Sequence, residues 1–191
     1  MGPTRHALRA ATQAIHDRLD RAPVLRPLAG PGLTVEDYRA ALIALHGAHA
    51  PVEERLGGGA GRLDLLRADL DDLGVDAAAL PVMDGLPDLG GTAERLAARY
   101  VLDGSAHGGR AMLPNVSRAL GFDAARGARF LASAGIDAAA GWRDLLARLE
   151  AEVATPAARE RACATAVGLF AAIEIWLARI GWDVAAGREG G

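Results

Sequence analysis

Lysine is missing from this chain of 191 residues: its 21 basic side chains are all arginine, set against 24 carboxylates for a formal charge of −3. No basic stripe runs along it, so nucleic acid is not an expected partner. Aromatic residues make up only 4% and no run of alternating β-branched residues occurs, which excludes an extensive sheet and leaves an all-α fold. The lone cysteine, Cys163, has no partner for an internal disulfide and lies in an alanine-rich stretch, as suits a small buried hydrophobe in a reducing compartment. Arg5, His6 and Arg9 are followed by no apolar run, so no secretory signal is read and the cytoplasm is the expected location. Ala162 to Ile180 is the one stretch with the look of a membrane span, but Glu174 and Arg179 interrupt it, and a buried core helix with no membrane association is expected. What is abundant is apolar residue, 51% of the chain. That is enough for one continuous core, so a single helical domain over residues 1–185 is expected, with a glycine-rich disordered tail at 186–191.

Helical periodicity and stop signals divide the chain. Leu8, Ala11, Ile15 and Leu19 form the buried stripe of a first helix, followed by a loop containing Pro23, Pro27, Gly30, Pro31 and Gly32. Thr34-Val-Glu-Asp37 resembles a capping box, with Asp in place of the usual Glu, and opens a helix to Leu56 that Pro51 can kink and Gly57 ends. Leu63, Leu66, Leu70 and Leu73 mark a third helix, and a long irregular connection follows through Pro81, Gly85, Pro87, Gly90 and Gly91. Thr92 is read as the cap of a long helix that stops at Gly121. A further helix is expected over 124–134, another around Trp142, Leu145, Leu146 and Leu149, and a last one opened by Thr155-Pro156 and running through Val167, Phe170, Ile173, Leu177 and Ile180.

Two segments carry chemistry. His16 lies beside the apolar stripe of the first helix with Asp20 one turn on. A neutral imidazole binds a metal through one ring nitrogen while an acceptor fixes the proton on the other, so the pair supplies both ligand and orienting group; a partly buried histidine beside a surface ion pair reads the same in sequence. The second segment is Tyr100-Val-Leu-Asp-Gly104-Ser-Ala-His-Gly108-Gly109. Each glycine within a helix costs roughly 1 kcal/mol relative to alanine, so something must approach the backbone there. Either another helix crosses at Gly104 and Gly108, or the helix bends over a flat cofactor.

Together these segments resemble the proximal and distal helices of heme oxygenases, most closely the bacterial branch encoded beside bacteriophytochromes, with its Tyr-Val-Leu-Glu-Gly-Ser-x-x-Gly-Gly pattern. The likeness extends to Tyr38–Leu56, with His49-Ala-Pro-Val-Glu53, and to Phe170–Leu177, with Glu174 and Trp176. It implies a single-domain helical bundle holding heme between an N-terminal proximal helix and a kinked distal helix. His16 would be the iron ligand and Asp20 its hydrogen-bonding partner; Gly104, Ser105, Gly108 and Gly109 would form the distal wall, joined by Tyr100, His107 and Phe170. Arg9 and Arg143 match positions whose cationic side chains bind heme propionates, for which the planar guanidinium fork is suited. Ser105 stands where animal heme oxygenases carry an aspartate that organises distal water, and Ala106-His107 replaces an expected Thr-Leu pair, His107 being expected to point outwards or to stay behind the groups lining the heme. The resemblance implies cleavage of heme, at once substrate and cofactor, by dioxygen and external electrons to biliverdin, carbon monoxide and ferrous iron. It also implies an electron donor such as a ferredoxin or a flavodoxin with its reductase, and a bacteriophytochrome as bilin acceptor.

Three rival chemistries use other residues. His46, His49 and Glu53 share one helix face and could form half of a non-heme diiron site, for which Glu174 is the available further carboxylate. A thiaminase-like hydrolase would need an activated Cys163. A non-catalytic heme carrier or sensor would follow if His107 closed the second axial position on the iron.

Overall fold

A computed structural model describes residues 2–58 and 61–189, with side-chain environments up to Ile180. The described residues form seven α-helices and no named strand: α1 Pro3–Leu19, α2 Val35–Leu56, α3 Arg62–Asp72, α4 Thr92–Leu120, α5 Arg129–Ala132, α6 Ala138–Glu152 and α7 Pro156–Glu189. Short 3-10 turns at Arg26–Ala29 and Ala77–Ala79 punctuate the connections.

Local chemistry sets most of the ends. The Thr34 hydroxyl accepts from the Asp37 amide at 3.1 Å and the Asp37 carboxylate accepts from the Thr34 amide at 3.3 Å, so the reciprocal box forms with Asp as the third residue. Gly57 and Gly121 end α2 and α4 at φ of 78° and 72°, a left-handed region that a side chain would strain. At the head of α7 the Ala158 amide donates to the Thr155 hydroxyl at 3.2 Å. Three expectations shift. α4 does begin at Thr92, but its cap is the extended Gly91 and no side chain serves it. The helix expected over 124–134 shrinks to α5, because Asp123 accepts from the Ala125 and Arg126 amides and curls the segment before it into a turn. In α1 the buried stripe is Thr4, Leu8, Thr12 and Ile15 while Ala11 is exposed; the two hydroxyls tolerate burial because they donate to the Val153 and Leu8 carbonyls at 3.0 and 2.8 Å. No helix break marks residue 185, since α7 continues to Glu189; Gly190 and Gly191 lie outside the described residues.

Two apolar cores share α2 and α4. The larger gathers Leu8, Ala44, Val52, Ala97, Leu149 and Leu169 from α1, α2, α4, α6 and α7. The smaller gathers Tyr38, Leu42, Leu66, Leu70, Val116 and Leu131 from α2, α3, the C-terminal half of α4, and α5. Gly47 allows α7 to close on α2: the Trp176 indole occupies the space of a Cβ there, and its Nε1 donates to the Ala44 carbonyl at 2.8 Å. The stretch Pro156–Ile180 of α7 is long and apolar enough to cross a membrane, yet the helix packs on α1, α2 and α4 as a core helix. α6 and α7 each pack against both α1 and α4, which share no substantial contact of their own. A cleft between α1 and α4 is thereby built into the architecture.

Candidate functional site

On the α1 side of the cleft the helical i, i+4 spacing brings the Asp20 carboxylate to 3.3 Å from His16 Nδ1, with both side chains exposed, at 55% and 63%. The carboxylate lies beside Nδ1, where it can orient the ring, and Nε2 is left without a protein partner. Phe170 of α7 meets the His16 ring edge-on with centroids 6.0 Å apart, supplying an apolar flank. Asp17 also comes within metal-ligand range of His16 and Asp20, and this is the one cluster of potential metal ligands among the described residues.

On the α4 side, Tyr100, Gly104 and His107 lie at i, i+4 and i+7 along one helix face, and Trp142 of α6 covers them. Its indole stacks on Tyr100 with centroids 5.2 Å apart, meets His107 edge-on at 5.3 Å, and lies 3.8 Å from where a Cβ on Gly104 would stand. Gly108 faces open space. Burial pushes the Tyr100 phenol above its usual pKa, and the positive charges of Arg5 and Arg9 on α1 partly offset that, so these arginines and the phenol share one end of the cleft. Arg143 stands exposed beside Trp142 on α6.

Two of the expected site residues are committed elsewhere. Gly109 is buried against Leu131 of α5, whose backbone stands 3.4 Å from the position of an added Cβ, so that glycine serves helix crossing. The Ser105 hydroxyl donates to the Leu102 carbonyl at 2.6 Å and accepts from Arg62 at 3.2 Å, which ties it to the far side of α4. Of the two explanations open for the glycines, close helix packing is seen at Gly109. α4 itself is helical throughout Thr92–Leu120, and the expected kink leaves no interruption in it.

Behind α4 lies a polar cluster in which Glu53 meets Arg99, Asp103 and Arg62, three residues that sequence reasoning did not single out. Arg99 grips Glu53 with two hydrogen bonds of 2.8 and 2.9 Å and stands 4.0 Å from Asp103. Arg62, only 4% exposed, donates to the Leu102 carbonyl at 3.0 Å and lies over the Phe130 ring at 4.5 Å. Burial raises the Asp103 carboxyl above the usual carboxylate range despite both arginines. Burial likewise holds His49 neutral, its pKa lowered to about 3, with its ring edge-on to Phe130. The signal available in sequence was an Arg and an Asp at i, i+4 on α4, a pattern shared by many solvated helices.

This geometry leaves little for the rival chemistries. Both Glu53 oxygens are engaged by Arg99, and Glu174 is paired at the surface with Arg18 at 2.6 Å, so neither converges with His46 and His49 on a diiron site. Burial raises the Cys163 thiol above its ordinary pKa, the opposite of an activated thiolate. Two hollows of about 240 and 400 Å³ open near the C-terminal end of α2, and neither is lined by His16, Gly104 or Trp142.

The described residues form a bundle of seven α-helices in which α1 and the long central α4 are joined through α6 and α7. Among solved structures, the heme oxygenase of Neisseria meningitidis, crystallised with NO and CO bound, superposes with a TM-score of 0.75 at 23% identity, covering 94% of this chain and 92% of that one. No protein-family model and no curated protein matches the sequence. The likeness establishes the fold over nearly the whole chain.

The cleft residues fit a heme. His16 on α1 has one ring nitrogen without a protein partner, Gly108 on α4 offers open backbone, Phe170 and Trp142 supply aromatic rings, and Arg9 and Arg143 are exposed and suited to carboxylates.

Proposed function

We propose that the chain is a heme oxygenase, using heme and dioxygen with external electrons and releasing biliverdin, carbon monoxide and ferrous iron. The observation that carries this reading is the fold shared with a heme oxygenase over 94% of the chain, with an exposed His16 beside Asp20 on α1 and a side-chain-free surface at Gly108 on α4, two helices that are both packed on α6 and α7. When bound, heme supplies an iron centre that takes dioxygen and a porphyrin that is itself oxidised.

The residues of this chain do the rest by positioning. His16 Nε2 would ligate the iron from the α1 side, with the Asp20 carboxylate beside Nδ1 orienting the ring. Arg9 and Arg143, both exposed, draw the propionate carboxylates to the cleft mouth. Gly108 would let the heme approach the α4 backbone without meeting a side chain. His107 meets the Trp142 indole edge-on, and this packing supports an oxygenase over a carrier in which that imidazole would hold the iron. The pattern Tyr100 to Gly109 supports a role in supplying bilin to a bacteriophytochrome, with a ferredoxin or flavodoxin and its reductase as donor.

The test is a hemin titration followed by reductant in air. A Soret band on binding, then its loss with growth of a biliverdin band, is the expected result; a stable six-coordinate spectrum indicates a carrier, and no hemin uptake overturns the reading. His16→Ala should remove the axial ligand and stop turnover, with imidazole in the buffer restoring part of the spectrum.

A further inference from the structure

We propose that Trp142 determines where the macrocycle seats in the cleft, and with it which meso carbon is oxidised, through its placement over Gly104 while the neighbouring Gly108 is left open. The inference rests on the heme oxygenase reading and adds to it a residue that sets specificity.

The glycine-bearing face of α4 is divided unequally. Over Tyr100, Gly104 and His107 it is roofed by one indole, whose Cη2 and Cζ3 stand 3.8 and 4.0 Å from the position of a Cβ on Gly104. Over Gly108, one turn further, nothing lies within 4 Å. A flat ligand laid on this face can use the Gly108 side freely and meets the indole at Gly104. The indole is also held in place: it stacks on Tyr100 at an interplanar angle of 30° and meets His107 at 66°, contacts on two sides that restrain both its tilt and its slide. Tyr100 is in turn packed against the larger core, which anchors the stack to the body of the protein. A wall so restrained fixes the in-plane position of whatever abuts it.

Seating then becomes regiochemistry by simple geometry. Four meso carbons surround the iron at equal distance, so which of them lies beside a given point on α4 depends on rotation of the ring about the axis through His16. Carboxylate capture by arginines restrains one edge only, and their flexible side chains tolerate alternatives. The indole supplies a second, rigid restraint at Gly104, and two restraints select one rotation.

The experiment compares wild type, Trp142→Phe and Trp142→Ala. Each is loaded with hemin and cyanide, and the heme-methyl resonances are recorded by NMR as a measure of in-plane orientation; each is then turned over and the biliverdin isomers are separated. Expected are one dominant orientation and isomer for wild type, and for Trp142→Ala a second set of methyl resonances with a ratio of major to minor isomer lowered about tenfold or more, equivalent to about 1.4 kcal/mol of lost discrimination. Trp142→Phe, which keeps a ring over Gly104, should fall between. A Trp142→Ala protein that binds hemin with the wild-type methyl pattern and yields the wild-type isomer overturns this inference and leaves the heme oxygenase reading standing. If Trp142→Ala does not fold, an unchanged methyl pattern and isomer ratio in Trp142→Phe overturns it instead. Wild-type protein that takes up no hemin overturns both.

Discussion

The two faces of α4 handle polar groups in opposite ways. On the cleft side, His16 and Arg9 on the opposing helix are exposed, and Gly108 presents bare backbone to open space. On the other side, Glu53, Arg99, Asp103 and Arg62 are drawn inward and bound to one another or to the Leu102 carbonyl. A buried charge must find a partner or shift its pKa, so most of the rear cluster's bonding capacity goes into internal pairing, although Arg62 Nε and Nη2 stay buried without a hydrogen-bond partner. Groups in the cleft keep theirs because solvent covers them until a ligand arrives.

The sharpest way to break this contrast is to unpair the rear. Arg99→Leu leaves the Glu53 carboxylate, 5% exposed, without its two hydrogen bonds. Removing one partner of a buried pair costs about 3–5 kcal/mol, and the effect here should fall at the low end because Arg99 retains some solvent. Urea unfolding should show the loss, while hemin ligation by His16 in the folded fraction is unchanged.

Acid tests the same region through His49. Its folded pKa of about 3 lies below the ordinary 6.5, so between those values the unfolded chain takes up a proton that the folded protein does not. Stability should therefore be constant above about pH 6.5 and fall on acidification, by about 1.4 kcal/mol per pH unit, until the folded pKa is reached. His46 is lowered by burial too and adds to the same trend. Denaturation midpoints of wild type and His49→Phe, measured from pH 7 to 4, should diverge, with the variant showing the shallower slope; parallel slopes would refute this assignment.

The smallest effects separate glycines that serve packing from one that serves the cleft. Gly47→Ala drives a methyl into the Trp176 indole and the Pro81 carbonyl and should cost about 1–3 kcal/mol. Gly108→Ala meets nothing within 4 Å, so the better helix former should raise stability by up to about 1 kcal/mol. The same substitution should weaken hemin binding, since its methyl enters the space where the ring approaches α4. Thermal melts with and without hemin read both changes; a Gly108→Ala protein with undiminished hemin affinity would remove that glycine from the site.

Sequence alone determined what depends on neighbours a few residues apart. The capping box at Thr34, the left-handed stops at Gly57 and Gly121, the Thr155 cap and the His16–Asp20 contact are local, and each was legible because its partners lie within one helical turn. Tertiary structure decided which glycine does what and which charges are used up. Gly104, Gly108 and Gly109 read alike in the sequence, but Trp142, open space and Leu131 give them three different roles. Likewise Arg99 finds Glu53 across 46 positions, and Arg62 finds the Leu102 carbonyl across 40. Such contacts depend on how helices cross, and no periodicity within a single helix encodes the residue that the next helix brings opposite it.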